Sequence, residues 1–220
     1  MRYERKFKFL PGEEGKISSF LICNSFKEIY SKRIVNSIYY ETSNFNCFHD
    51  SMNGVEIREK IRLRFYNNQY NRVQLELKNK RSELGQKITT NLDKIISYKS
   101  NYIFLNSIND ANKVFKIPVL IKGIYRPLVF IKYKRRYYYS ENYCLRVTID
   151  SKLEFSIIKS SRSNFLIQKP RQALYGVLEI KHSDDLEPSV NFINSISKSL
   201  QLYMERSSKY CDAINLLFSI

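Results

Sequence analysis

The sequence predicts an α+β fold: an antiparallel sheet whose strands each carry one apolar and one charged face, with amphipathic helices packed against it. Three observations lead to that class. Four or five segments alternate apolar and charged residues with a period of two, the spacing at which strand side chains fall on opposite faces. The two most regular are joined by Asn67-Asn68, a turn signal that makes them a β-hairpin. Other stretches carry apolar residues at roughly helical spacing and need an apolar surface to lie on.

The alternation is clearest in Arg58–Phe65, where Lys60, Arg62 and Arg64 face one way and Ile61, Leu63 and Phe65 the other. Residues two apart on a strand are separated by about 6.6 Å, so three cations at that spacing repel unless water or an anion lies over them. After the turn, Arg72–Lys80 sets Val73, Leu75 and Leu77 against Gln74, Glu76 and Lys78. In chain order, Arg2–Leu10 predicts a first strand ended by Pro11-Gly12. Glu14–Tyr30 predicts an amphipathic helix through Ile17, Phe20, Leu21, Phe26 and Ile29. Ser37–Thr42 reads as a short aromatic strand and Asn44–Gly54 as a loop with a helical turn. Beyond the hairpin, Gln86–Asp93 reads as a strand and Ile95–Ile108 as a helix, then Pro118–Ile124 and Leu128–Tyr139 as strands separated by Tyr-Arg-Pro. Tyr143–Asp150 alternates Leu145, Val147 and Ile149 with Cys144, Arg146, Thr148 and Asp150. Ile157–Arg171 has no clear period and reads as a loop, whereas Gly176–Lys181 is a strand with Glu179 and Lys181 on one face. From Pro188 onward two helices are expected, joined near Glu205–Ser208. With no repeat, low-complexity tract or linker, one domain over residues 1–220 is expected.

Composition narrows the chemistry. A chain of 220 residues with 43% hydrophobic and 14% aromatic content can bury a sizeable core. No run approaches the roughly 18 apolar residues of a membrane helix, and the N-terminus lacks the apolar region of a signal peptide. Cys23, Cys47, Cys144 and Cys211 are widely spaced and form no CxxC, which suits free thiols in a reducing cytoplasm. The net charge of +16 points to a polyanionic partner. The richness in Lys, Asn, Ile and Tyr, all with A/T-rich codons, makes position on strands better evidence than total charge. His49 and His182 are the only histidines, which argues against multi-histidine metal sites. Neither a P-loop nor a Rossmann glycine motif is present, so any phosphate must be handled by side chains.

Pattern alone leaves open whether the charged faces meet water or line a cavity inside a curved sheet. The order of the motifs adds to this: Tyr3-Glu-Arg-Lys6, Tyr39-Tyr-Glu-Thr42, Arg58-x-Lys-x-Arg-x-Arg64, Leu75-Glu-Leu-Lys78, Tyr133-x-Arg135, Leu145-Arg-Val-Thr-Ile-Asp150, Leu178-Glu-Ile-Lys181 and Ser208-Lys-Tyr210. This series resembles the VTC domain, the polyphosphate polymerase domain of the vacuolar transporter chaperone complex and of its compact bacterial-type relatives, within the triphosphate tunnel metalloenzyme superfamily. The resemblance runs from Tyr3 to about Ala213.

That resemblance implies an eight-stranded antiparallel β-barrel with flanking helices, a tunnel with a basic lining. In that family the tunnel moves the γ-phosphate of ATP onto a polyphosphate chain with a divalent metal, Mn²⁺ or Mg²⁺. It implies that Lys6 is the first-strand lysine, Arg62 and Arg64 the paired tunnel arginines, Lys78 the lysine of the Glu-x-Lys strand and Lys87 the next tunnel lysine. It further implies that Arg62, Arg64, Lys78, Arg135, Arg146 and Lys209 are catalytic, with Lys6, Lys87 and Tyr133 expected to bind substrate and Glu179 on the metal. Lys60 and Lys181 share faces with these residues and are expected to bind substrate, with Lys60 and Arg58 nearer the tunnel mouth. ATP and polyphosphate are the implied partners, in the cytoplasm, with no specific nucleic acid and no membrane segment. The chain departs from the family in Glu41, where Asp is usual, in Phe48, where Tyr is common, and in Gln86 before Lys87. It also lacks the sensor domain and membrane segments of the fungal subunits.

Phosphoryl transfer needs positioning and positive charge more than covalent help, so these residue types suit it. Two other readings stay open: a triphosphatase with water as acceptor, and a module that binds a polyanion without transforming it. The run Lys132-Tyr-Lys-Arg-Arg136 suggests a nucleic-acid patch, but its alternation turns Lys132, Lys134 and Arg136 away from Arg135.

Overall fold

Where the sequence alternates, the chain forms strands. In the computed structural model the described residues are 3–81, 84–93, 96–99, 102–105, 125–161, 164–182 and 187–220. They make β1 (Tyr3–Phe9), α1 (Glu14–Cys23), β2 (Lys27–Glu41), α2 (Asn46–Met52), β3 (Ile57–Tyr66), β4 (Arg72–Arg81), β5 (Leu84–Asp93), β6 (Ile96–Lys99) and β7 (Tyr102–Leu105). Then follow β8 (Arg126–Ser140), β9 (Leu145–Ser161), β10 (Asn164–Ile167), β11 (Arg171–Gln172), β12 (Gly176–His182), α3 (Glu187–Leu200) and α4 (Lys209–Phe218). Strand order is β5-β4-β3-β2-β8-β9-β10-β7-β6, with β12 also on β9 and β1 on β12.

The α+β antiparallel class is as expected, but the strand count needs correction. Eight long strands, β1 to β5, β8, β9 and β12, are joined among the described residues by four short ones. Three of the short strands come from segments read differently in the sequence. Part of Ile95–Ile108, expected as a helix, is the hairpin of β6 and β7, with Ile96 opposite Leu105. The apolar run there suits either period, and pairing of β7 with β10 decides it. Likewise Ile157–Arg171 is no loop: β9 continues to Ser161 and returns as β10. Helix α1 stops at Cys23, not Tyr30, because Ser25 takes a positive φ of 63° and Phe26 N bonds back to Leu21 O. Lys27 onward then extends as β2, far longer than the expected Ser37–Thr42. The expected strand Pro118–Ile124 lies outside the described residues.

The chain divides into two compact units. The first comprises Met1–Ile34, Lys132–Glu154 and Gln172–Ser208. Its core gathers Phe7 and Phe9 of β1, Leu178 and Ile180 of β12, and Val147 and Ile149 of β9 with Ile17 and Leu21 of α1 and Phe192 and Ile196 of α3. By strand register these six strand residues share a face, so Glu4, Lys6, Glu179, Lys181, Arg146 and Thr148 share the other. Phe9 lies opposite Gly176, where a Cβ would fall 2.1 Å from the Phe9 ring. The second unit comprises Val35–Ile131, Phe155–Arg171 and Lys209–Ile220, with a core of Ile38, Ile61, Leu63, Phe65, Val73, Leu75, Leu77 and Leu92 among others. No helix is long and apolar enough to cross a membrane, among the described residues.

Candidate functional site

In the second unit the polar face of β2–β5 forms rows across the strands. Tyr39, Arg62, Glu76 and Thr89 are successive partners, as are Lys60, Lys78 and Lys87. Directly opposed side chains on one sheet face lie close enough to interact, and here the geometry converges on Glu76. Its Oε2 accepts from Arg62 Nε at 2.6 Å and Nη2 at 2.5 Å, and lies 3.8 Å from Arg64 Nη1. Its Oε1 accepts from Lys87 Nζ at 2.7 Å. Glu76 is only 3% exposed. Burial pushes its carboxyl pKa up, but the charges of Arg62, Arg64 and Lys87 outweigh this and bring it down to about 2. Three cations thus share one carboxylate, leaving a net positive site of ordered donors.

A carboxyl held near 2 contributes stability that is present above its unfolded pKa and lost as pH falls through the folded value. Glu76→Gln is therefore expected to flatten the acid limb of the stability curve between roughly pH 4.5 and 2. Urea midpoints measured across that range check it, and an unchanged acid limb would refute the assignment.

Around this cluster, Tyr39 OH accepts from Arg62 Nη1 at 2.7 Å, and Arg64 Nε lies 3.5 Å from Ser37 Oγ. Burial raises the Tyr39 hydroxyl pKa, but the cations of Arg62 and Arg64 overcome it and lower the net value. Lys60 Nζ is 5.4 Å from the Tyr210 ring centroid and 3.8 Å from Cys211 Sγ. Lys78 is exposed beside Lys60 and Lys87 in the row, and Lys209 is the first residue of α4.

The first unit holds the other expected residues. Lys6 pairs in register with Glu179, Glu4 with Lys181, and Glu179 in turn with Thr148. Lys181 Nζ lies 2.7 Å from Glu179 Oε1 and 3.8 Å from Glu4 Oε2, while Lys6 Nζ lies 2.7 Å from Glu4 Oε1. Burial and the nearby Glu179 charge raise the Glu4 carboxyl pKa, but Lys6 and Lys181 leave it below the ordinary value. Arg135 forms a two-point pair with fully buried Asp150, Nε to Oδ1 at 2.6 Å and Nη2 to Oδ2 at 2.7 Å. Its Nη2 is also 3.9 Å from Glu179 Oε2. Tyr133 is buried, with the Arg135 guanidinium 5.3 Å from its ring centroid. Arg146 is exposed on the same face. Lys132 pairs with Glu154 and Arg136 with Glu28, so that run is partly neutralised locally.

A match to the VTC domain family spans residues 5–218. The chain belongs to the VTC domain family. The resemblance drawn from the ordered motifs is borne out. Solved structures similar to this VTC domain include a putative adenylate cyclase from Bacillus halodurans, with a TM-score of 0.57 and 14% identity over 99% of this chain and 97% of that one. A putative adenylyl cyclase from Hippeastrum, described as having a dominant triphosphatase activity, gives a TM-score of 0.56 at 16% identity over 97% and 95% of the two chains. A Pyrococcus horikoshii protein gives 0.51 at 17% identity over 99% of each. At such identities the likeness establishes the fold, which is of the tunnel type expected. A search of curated proteins returned no match.

The VTC domain motifs marked the basic residues and Glu179 and left the other acidic partners unnoticed. Glu76, Asp150 and Glu4 lie within quoted motifs, but a glutamate among lysines reads as charge balance until the strands are paired. A two-residue turn at Asn67-Asn68 would set Arg62 opposite Val73; the connection runs over residues 67–71 instead, and that length brings Glu76 opposite Arg62. As for a metal, no three His, Cys, Asp or Glu side chains converge among the described residues. Glu179 and Glu4 nevertheless offer two carboxylates around the Lys181 ammonium, and buried Thr148 Oγ1, across from Glu179, lacks a hydrogen-bond partner. Ions of the Mg²⁺ type are held by one or two carboxylates, with substrate phosphates and water completing the shell, and these residues fit that need.

Proposed function

We propose that this VTC domain is a polyphosphate polymerase, a metal-dependent phosphotransferase that adds the γ-phosphate of ATP to a polyphosphate chain in the cytoplasm. The observation that carries the reading is the gathering of Arg62, Arg64 and Lys87 on the single buried carboxylate of Glu76. Donors held in place before the ligand arrives stabilise developing phosphate charge without reorganising. Membership of the VTC domain family supports the same conclusion.

In this reaction an oxygen of the chain's terminal phosphate attacks the γ-phosphorus, the bond to the bridging oxygen breaks, and ADP leaves with that electron pair. The attacking group is already an anion, so no base must remove a proton, which agrees with a chain holding two histidines. Arg62 and Arg64 present guanidinium forks suited to phosphate oxygens, while Lys60, Lys78, Lys87 and Lys209 act as mobile point charges. Lys6, Lys181 and Arg146 supply charge on the face of Glu179, and Tyr133 supports Arg135. Glu179, with Glu4, would hold the divalent ion, which when bound neutralises charge on the phosphates.

Purified protein with ATP and Mn²⁺ or Mg²⁺ is expected to lengthen polyphosphate on a gel. Glu179→Ala is expected to lower metal-dependent turnover about 10²–10³-fold while anion binding is largely kept. No chain growth under any metal condition would refute the polymerase. A triphosphatase is the second reading, favoured by the fold shared with the Hippeastrum protein. It would release phosphate from tripolyphosphate without polymer. Binding without turnover in either assay would leave a polyanion-binding module.

A further inference from the structure

We propose that Glu41 and Tyr210 form a latch that positions Arg62 and the first turn of α4 for phosphate recognition, a positioning role for two residues outside the basic set. The role in recognition rests on the phosphate-handling reading above; the latch itself rests on geometry. Glu41 is fully buried at the end of β2. Its Oε1 accepts from Thr42 N at 2.7 Å, Thr42 Oγ1 at 3.3 Å and Cys47 N at 3.1 Å, and its Oε2 from Phe48 N at 3.0 Å. These bonds tie β2 to the start of α2, whose preceding residue Phe45 gives no side-chain cap. One further donor is different in kind. Tyr210 OH donates to Oε2 from α4, a segment 169 positions away in the chain.

From Tyr210 the arrangement leads to the cations. Its ring stacks on Tyr39 with centroids 5.1 Å apart, and the Tyr39 hydroxyl takes the 2.7 Å bond from Arg62 Nη1. The Tyr210 ring also lies beneath the Lys60 ammonium, and Lys209 immediately precedes it in the same helical turn. Burial and the Glu41 charge hold the Tyr210 hydroxyl pKa far above its usual range, so it remains a donor at any physiological pH. A buried carboxylate is stable only with its lone pairs satisfied, so α4 is drawn to one seat, and with it the ring against which Tyr39 and Arg62 are set.

The variant Tyr210→Phe keeps the ring and removes only the hydroxyl. With the full chain, calorimetric binding of inorganic tripolyphosphate is expected to weaken about tenfold, the effect of one lost hydrogen bond to a charged group. Amide hydrogen exchange over residues 209–214 is expected to quicken. Ile196→Val, in the first unit's core, serves as a control for general destabilisation and is expected to leave tripolyphosphate affinity unchanged. Tyr39→Phe removes the acceptor for Arg62 and is also expected to weaken binding; combined with Tyr210→Phe it should add little, because both act on one path. Wild-type affinity in Tyr210→Phe, or fully additive losses in the double variant, would overturn the latch. If the unmodified chain does not bind tripolyphosphate, the phosphate reading falls; the latch then stands or falls on exchange at residues 209–214, which must quicken in Tyr210→Phe.

Discussion

Glu76→Ala is expected to lower stability by about 3–5 kcal/mol, the usual penalty for removing one partner from a buried ionic cluster. The loss follows from what remains: Arg62, Arg64 and Lys87 would share a face with no carboxylate among them. Urea unfolding at neutral pH and low salt measures it. The same variant should respond to anions more than the wild type does, because a bound polyanion takes over the missing charge. Tripolyphosphate at a hundred times its dissociation constant would restore about 2.7 kcal/mol by mass action. A loss below about 1 kcal/mol with no anion rescue would mean that the three cations are well enough solvated to need no partner.

Asp150→Ala should produce a loss of similar size, about 3–5 kcal/mol, for a related reason. Asp150 is fully buried and holds both Nε and Nη2 of Arg135, whose side chain is 14% exposed. Burial alone would lower the Arg135 pKa, but the Asp150 charge raises it well above its usual value, so the arginine stays charged and would be stranded. The double variant Asp150→Ala with Arg135→Met removes both charges and is expected to recover most of the stability while losing activity. Stability that fails to return would show that Asp150 acts through other partners.

Much of this was legible in the residues alone. Strict alternation in Arg58–Phe65 and Arg72–Lys80 set the facing of Arg62, Arg64 and Lys78, because a strand with one apolar face has a single way to bury it. Alternation at Gly176–Lys181 did the same for Glu179. Legibility failed where local pattern was outvoted by pairing. The apolar residues of Ile95–Ile108 carry no information on which partner strand exists, and the end of α1 depended on a left-handed Ser25 that no side-chain pattern marks. Glu41 appeared only as a departure from a family habit, since nothing local shows that Tyr210 will meet it.

The absent side chain at Gly176 bears on more than packing. The Phe9 ring occupies the space where a Cβ would stand, so β1 and β12 have one comfortable alignment. Sliding β1 by two residues would preserve the apolar and polar faces, yet it would confront Lys6 with Lys181 in one direction and Glu4 with Glu179 in the other. The ring would meanwhile meet Leu178 or Leu174 instead of a gap. An uncharged residue thereby selects which charges become neighbours, acting as a proofreading notch for the strand that carries Lys6.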